Sequence, residues 1–527
     1  MGAPTAAPPV STVVDIIRTR GTDPTHAGDA AIEFEGATYS YGDLDALSNR
    51  LAAALVTHGV GAGDRVAYID KNRADYFVVL FGAAKVGAVC VAVSFRLAAR
   101  EVAHIVRDST AKVLFVGGGF HDVIEQVEDD ISATEMVTLD VHSRWPSLND
   151  WLSPADTPDP GHPSGPDDVA LQLYTSGTTG LPKGAMLANR NLFGMADVAG
   201  AAWHFRPHMV SLGVSPLFHI AGTGWTLMVL AYGGTVVLHR DVDPGAILRD
   251  IDRCGVTHGL LVPAILQLIL DRRQNGDPVD ASSLELVVYG ASPISDDVLL
   301  GLFDAFDCDF VQGYGLTETA GAVTILPAED HDRSRPQLLR SCGRALPGVG
   351  LRIVDPETGA ECAEGSVGEV LIRAASVMVG YWNQPAATAE AIDADGWFHS
   401  GDAGFLRDGR LYLHDRIKDM IVSGAENVYP AEVENVLMRH PSIVDVAVIG
   451  IPHDRWGETV KAVIVTAAGA TVSADEVIAF ARADLAHYKC PSSIDFVDEL
   501  PRNAAGKILK RVLREPYWVG RDRRISG

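Results

Sequence analysis

An α/β fold with more than one folding unit is the expectation for this chain, and three observations lead to it. At 527 residues the chain exceeds what a single core organises. Short β-like runs alternate with helical patterns over most of its length, the signature of largely parallel sheets. Its 52 glycines suit many tight strand-to-helix turns, and 47% hydrophobic against 21% charged residues is enough to fill a core.

In order along the chain, RVAYI (65–69) reads as a strand, YFVVLFGAAKVG as a helix and VCVAVS as the next strand. KVLFVGG (112–118) is followed by the helical pattern HDVIEQVEDD, and a Pro/Asp/Ser/Gly-rich loop (153–168) precedes the strand DVALQLYT. Phe77–Phe95 is apolar except for Lys85, and Ile220–Leu238 carries no charge. Glycines interrupt both runs, so each is predicted as a buried helix, a turn and a buried strand rather than a membrane span. The texture changes near residue 414. Two short strands, a Gly turn and a helix opened by Pro430 lead into VDVAVIGIP, VKAVIVT, a helix from Ser473 and SIDFVDELP. This predicts a large unit over 10–414, a junction at 415–418 and a small α+β unit over 419–520.

Composition excludes several function classes. A formal charge of −25, from 43 basic and 68 acidic residues, argues against a nucleic-acid partner. Cys90, Cys254, Cys308, Cys342, Cys362 and Cys490 form no C-x-x-C pair, which argues against structural zinc and a disulfide framework and fits a reducing, cytoplasmic compartment. No signal-peptide pattern or basic amphipathic helix is evident. A homodimer is the base-rate expectation for assembly.

The strongest local signal is YTSGTTGLPKGA, Tyr174 to Ala185. A buried strand runs into small hydroxyl residues and glycines and then a lysine. Backbone amides turned inward at Gly177 and Gly180, hydroxyls of Thr175, Ser176, Thr178 and Thr179, and the Lys183 cation can together cradle a polyphosphate. Pro182 before the lysine rules out the Walker A pattern, which needs glycine there.

Downstream, YGASPIS (289–295) and QGYGLTE (312–318) can build a flat slot for a purine. Tyr314 offers a stacking face, and Gly290, Ala291 and Ser292 allow close backbone approach. Glu318 ends the second segment. With Thr175 it is the candidate ligand of a Mg²⁺ that would bridge phosphates, since that ion takes one or two protein carboxylates plus phosphate oxygens.

From Tyr174 to Lys507 the ordered motifs resemble the adenylate-forming superfamily of acyl-CoA synthetases, firefly luciferases and peptide-synthetase adenylation domains. The resemblance is strongest to bacterial fatty-acid–CoA ligases. It implies a large N-terminal domain of stacked α/β subdomains plus a β-barrel-like subdomain, and a small mobile C-terminal α+β domain. It assigns Gln312, Gly313, Tyr314, Gly315 and Thr317, with Gly290 to Ser292, to the nucleotide. Asp402 in GWFHSGDAG and Arg416 in HDRIKD are assigned to ribose and α-phosphate. By itself His219, in SPLFH, reads as a core histidine; in similar enzymes it lies between the carboxylate and the acyl pocket, which Gly222, Gly224 and Trp225 would then line. Lys507, in PRNAAGK, matches the family lysine that bridges the attacking carboxylate and the α-phosphate. Lys418 matches the hinge of a domain rotation, after which Ser423 and Gly424 would line a coenzyme A tunnel. Two departures are Ala425 where the family has Gly, and Ala188-Asn189 where Thr-His is common.

The expected activity is an ATP-dependent acyl-CoA ligase using ATP, Mg²⁺ and coenzyme A on a carboxylic acid, with medium- or long-chain fatty acids leading. A long apolar acid would imply transient membrane contact. Aryl or sterol-derived acids, a carrier-protein acceptor, a luciferase-like oxidation and a nucleotide-binding regulator are the alternatives.

Overall fold

The computed structural model describes residues 10–175, 182–276, 279–292, 294–423, 426–453, 456–467, 469–502 and 508–519, without the side chains of Asp415, Arg416, Lys418, Val422, Glu426 and Asn427. The chain divides into two compact units, Met1–Gly350 with Ile372–Phe398, and Leu351–Leu371 with His399–Gly527. The 415–418 junction of the sequence reading stands inside the second of these.

Among the described residues the first unit holds two large sheets. In one, seven strands run Gly380–Tyr381, Lys183–Ala188, Val169–Thr175, Val89–Ala92, Arg65–Ile69, Ala111–Val116 and Glu135–Thr138. The last five pair in parallel, and the first two add antiparallel at one edge. The nine-stranded sheet has a parallel centre that includes Val210–Gly213, His258–Leu261, Leu286–Gly290 and Asp309–Leu316. The central strands of both sheets are largely buried, with Arg65, Gln172, Ser211 and His258 as buried polar side chains within them.

The apolar run from Phe77 resolves as expected into the helix Asp75–Lys85 and the strand Val89–Ala92. Burial lowers the pKa of Lys85 within that run, and this is offset in part where its ammonium reaches Asp45 Oδ1 at 2.6 Å and Asn49 Oδ1 at 2.5 Å on the neighbouring helix Tyr41–Thr57. Ser40 caps that helix reciprocally with Asp43. The uncharged run from Ile220 gives the helix Ile220–Ala231 and the strand Thr235–Leu238. HDVIEQVEDD differs from the single helix predicted. It forms a short helix, His121–Glu125, and a 3₁₀ turn, Glu128–Ile131, because the backbone leaves the helical region at Val127 (φ −130°).

In the second unit four strands order as Gly350–Val354, Gly368–Arg373, Phe398–Arg407 and Arg410–Arg416. A five-stranded sheet is built around the paired strands Ile443–His453 and Gly457–Thr466. Pro430 opens the helix Pro430–Leu437, and Ser473 caps Ala474–Asp484 with Glu476. Ile421, Val433, Val448, Val460, Ile464 and Val477 form the core beneath them. Each such aliphatic side chain removed from water contributes about 1.5–3 kcal/mol. No helix among the described residues is long and apolar enough to cross a membrane.

Candidate active site

The strand Val169–Thr175 and its antiparallel partner Lys183–Ala188 form a hairpin whose register sets Thr175 opposite Lys183. The connecting Ser176, Gly177, Thr178, Thr179 and Gly180 lie outside the described residues, as do Gly424, Ala425 and Lys507. At the hairpin mouth the Thr175 hydroxyl donates to Glu318 Oε1 at 3.0 Å. Tyr381 donates its phenol to the same oxygen at 3.0 Å, and its ring lies 5.1 Å from the Lys183 ammonium. Glu318 is buried, in the 3₁₀ turn Thr317–Thr319 that follows the strand Asp309–Leu316. Thr319 shapes that turn, accepting from Leu316 N at 2.9 Å and donating to the Gly321 carbonyl at 2.8 Å.

Behind the hairpin runs a chain of polar contacts. Arg65 Nε donates to Gln172 Oε1 at 3.3 Å, Gln172 Nε2 to the Tyr174 phenol at 3.0 Å, and that phenol to Asp108 at 2.6 Å. Burial, reinforced by Asp108, pushes the Tyr174 phenol well above its ordinary value, so it keeps the proton it donates.

The two segments of the predicted purine slot are adjacent strand ends. Leu286–Gly290 pairs in parallel with Asp309–Leu316, with Gly290 opposite Gly313. A Cβ on Gly290 would sit 2.2 Å from the Gly313 carbonyl, so glycine is required for this approach. Ala291 takes φ 66°, turning the chain out of the sheet just before Ser292. Gln312 is half-buried, and its Oε1 has no hydrogen-bond partner among the described residues. Tyr314 is buried in the sheet, and Gly315 packs so closely on Gly321 that a Cβ would lie 1.9 Å from its carbonyl. The C-terminal ends of parallel strands are where open α/β sheets bind ligands.

His219 occupies the cap position of the helix Ile220–Ala231, half-buried, with its ring 4.2 Å from that of Phe218. Asn72 holds the approach to it. Its Oδ1 accepts from Leu217 N at 2.9 Å and its Nδ2 donates to the Ser215 carbonyl at 3.1 Å. Gly222 is buried, and a Cβ there would stand 2.2 Å from the Pro216 carbonyl; Gly224 is more open. Trp225 is also buried. It donates Nε1 to Ser211 Oγ at 2.9 Å and packs edge-on to Phe205. His258, fully buried near Phe205, is held neutral, with its pKa down to about 4, chiefly by burial and then by Arg206.

In the second unit Asp402 is buried, its backbone N donates to Ser400 Oγ at 3.0 Å, and it stands opposite Arg416 in the strand register. Ser423 ends the strand Ile421–Ser423.

The donor set at Glu318 suits a hard cation. It offers one carboxylate and two hydroxyls, all oxygen, and both hydroxyls use Oε1, so Oε2 stays outside that pair of bonds. No group of three or more His, Cys, Asp or Glu converges among the described residues. Tyr381, Thr319 and Asn72 were not singled out from sequence. The GYW run containing Tyr381 has no distinctive spacing, and only the sheet edge brings it to Glu318.

Residues 22–382 match the AMP-binding enzyme family, and 432–507 match the AMP-binding enzyme C-terminal domain. A fatty acid–[acyl-carrier-protein] ligase, ScoC, from Streptomyces coeruleorubidus is 40% identical over 501 residues, covering 94% of this chain and 95% of the relative. A feruloyl-CoA synthase from an Amycolatopsis species is 39% identical over 491 residues, 92% of this chain and 96% of the relative. The ATP-bound crystal structure of MatB from Rhodopseudomonas palustris superposes with a TM-score of 0.86 at 31% identity, covering 98% of this chain and 100% of that one. The chain belongs to the AMP-binding enzyme family and is an adenylate-forming acid–thiol ligase.

Proposed function

We propose that this ligase activates a medium- or long-chain fatty acid as its acyl-adenylate and transfers the acyl group to coenzyme A. The convergence of Thr175, Tyr381 and Lys183 around Glu318 carries the reading, because it sets a fixed carboxylate and a cation at the mouth of one glycine- and hydroxyl-rich hairpin. In the first step a carboxylate oxygen attacks the α-phosphorus of ATP, the bond to the β-phosphate oxygen breaks, and pyrophosphate leaves. Lys183 and Lys507 offset the charge that builds on the transferring group. A Mg²⁺ held by Glu318 and Thr175 would neutralise phosphate oxygens there. The nucleotide lies over Gly290 to Ser292 and Gln312 to Thr317, with Asp402 and Arg416 on ribose and phosphate. In the second step the coenzyme A sulfur, its proton lost to solvent, attacks the acyl carbon and expels AMP.

The acid is bounded by His219, Gly222, Gly224 and Trp225, and the uncharged helix Ile220–Ala231 supports an apolar acyl group. A rotation about Lys418, within the boundary at 415–418 between units 10–414 and 419–520, exchanges Lys507 for Ser423 and Gly424 between the two steps. The enzyme works in the cytoplasm as a homodimer, touching membranes only to collect long acids.

Mass-spectrometric detection of thioester from ATP, Mg²⁺, coenzyme A and a panel of fatty, aryl and sterol-derived acids tests this. Fatty acyl-CoA as the leading product supports it, and a preference for ring acids reassigns the substrate. A second reading, loading of a carrier protein, is favoured by the ligase of Streptomyces coeruleorubidus and is supported if acyl-adenylate accumulates until a carrier protein is added.

A further inference from the structure

Tyr381 contacts both charged groups of the hairpin mouth. Its phenol donates to Glu318 Oε1 at 3.0 Å, and the Lys183 ammonium lies 5.1 Å from its ring centroid. Both interactions favour the charged partner: a hydrogen bond donated to a carboxylate, and a cation on the negative face of an aromatic ring. We propose that Tyr381 is a positioning residue that fixes the separation of the metal-binding carboxylate from the phosphate-binding lysine. This rests on the roles given above to Glu318 and Lys183.

The backbone around Tyr381 is fastened independently of those two contacts. The short strand Gly380–Tyr381 pairs antiparallel with the strand that starts at Lys183, setting Tyr381 opposite Ala185. Tyr381 N donates to Thr388 Oγ1 at 2.9 Å, and Trp382 N to the Gly184 carbonyl at 2.8 Å. Gly380 takes φ 149°, and a Cβ there would stand 2.6 Å from Thr388 Cγ2, so only glycine admits this turn. The Trp382 indole donates to the Asp108 carbonyl at 2.8 Å and lies under the Arg65 guanidinium, 3.3 Å from the ring centroid. Asp108 also accepts from Tyr174, the residue before Thr175, so one half-buried residue supports both segments that donate hydroxyls to Glu318. Three residues before Tyr381, Met378 N donates to the Glu318 carbonyl at 2.8 Å. The segment from Met378 to Trp382 therefore grips Glu318 by main chain and side chain while clasping the strand of Lys183.

The phenol and the ring make separable predictions. In Tyr381→Phe the ring stays and the bond to Glu318 goes. In Tyr381→Leu both go. The full-length enzyme is titrated with Mn²⁺ in the presence of ATP and without acid, free Mn²⁺ being read by electron paramagnetic resonance; ATP affinity is measured separately in EDTA. Tyr381→Phe is expected to weaken Mn²⁺ binding by about tenfold, the value of a hydrogen bond to a charged group, and to leave ATP affinity in EDTA unchanged. Tyr381→Leu is expected to weaken ATP in EDTA by about threefold as well. Unchanged Mn²⁺ affinity in Tyr381→Phe, or an equal loss with and without metal, overturns the proposal. Glu318→Gln separates the two levels. If it weakens Mn²⁺ while Tyr381→Phe does not, the assignment of Glu318 stands and that of Tyr381 falls. If Glu318→Gln has no effect on Mn²⁺, both fall.

Discussion

The hairpin mouth and the start of the helix Ile220–Ala231 are built on opposite principles. Around Glu318 the described hydrogen bonds are directed polar contacts, made at fixed distance by Thr175, Tyr381 and the main chain of Met378. Around Gly222 and Trp225 the contacts are mostly packing: a glycine against the Pro216 carbonyl, and an indole among aromatic rings with one hydrogen bond to Ser211. Directed bonds specify a geometry that one chemistry needs and little else will satisfy. Apolar packing is set by volume, and volume can be redistributed by substitutions that conserve the fold. Two relatives of nearly equal identity to this chain are named for a fatty acid and for ferulate, as expected if the polar region serves a shared reaction and the apolar one the choice of acid.

Three experiments probe that contrast. Trp225→Ala empties a buried aromatic site and is expected to cost about 3–5 kcal/mol in denaturant unfolding, while moving the order of preference among acids in the thioester assay. An unchanged order would remove Trp225 from the acid-selecting region. Glu318→Gln is expected to slow ATP–pyrophosphate exchange about a hundredfold, equivalent to about 2.7 kcal/mol, by the same factor for fatty and aryl acids. A factor that depends on the acid would break the contrast from the polar side. Gly222→Ala drives a methyl against the Pro216 carbonyl and should lower stability by about 1–3 kcal/mol in the same unfolding assay. It should also raise the KM for acid without altering that for ATP; a matched rise in both would mean that the two regions are not separable.

The smallest effect concerns pH. His258 titrates near pH 4 in the folded chain and at about 6.5 when unfolded, so the unfolded state binds more protons in that window. Its contribution is fully present above pH 6.5 and is lost as pH falls toward 4. Unfolding between pH 7 and 5.5 should show a loss of roughly 1 kcal/mol that is absent in His258→Gln. An identical slope in both proteins would place the acid sensitivity elsewhere.

Much of the fold was legible because it is written in short-range patterns. Glycine breaks in Phe77–Phe95 and Ile220–Leu238 marked two helix–turn–strand units, and Pro430 and Ser473 marked helix starts. HDVIEQVEDD was misread because apolar spacing alone does not report that the backbone leaves the helical region at Val127. In the site, the glycine- and hydroxyl-rich hairpin and the strand-end glycines could be found from local composition. The closeness of Gly290 to Gly313 follows once their strands are neighbours, but that neighbourhood is a property of the sheet order.

Composition and residues within a few positions of one another fix the α/β character, the acidic balance and the glycine- and hydroxyl-rich run that ends at Lys183. What Glu318 touches depends instead on the packing of the whole unit. Its hydroxyl partners lie 143 and 63 residues away along the chain, and no periodicity links such distant positions. They meet because two strands of the seven-stranded sheet and the turn closing a strand of the other sheet end at one place. Sheet order, fixed by how the whole apolar core packs, chooses that place.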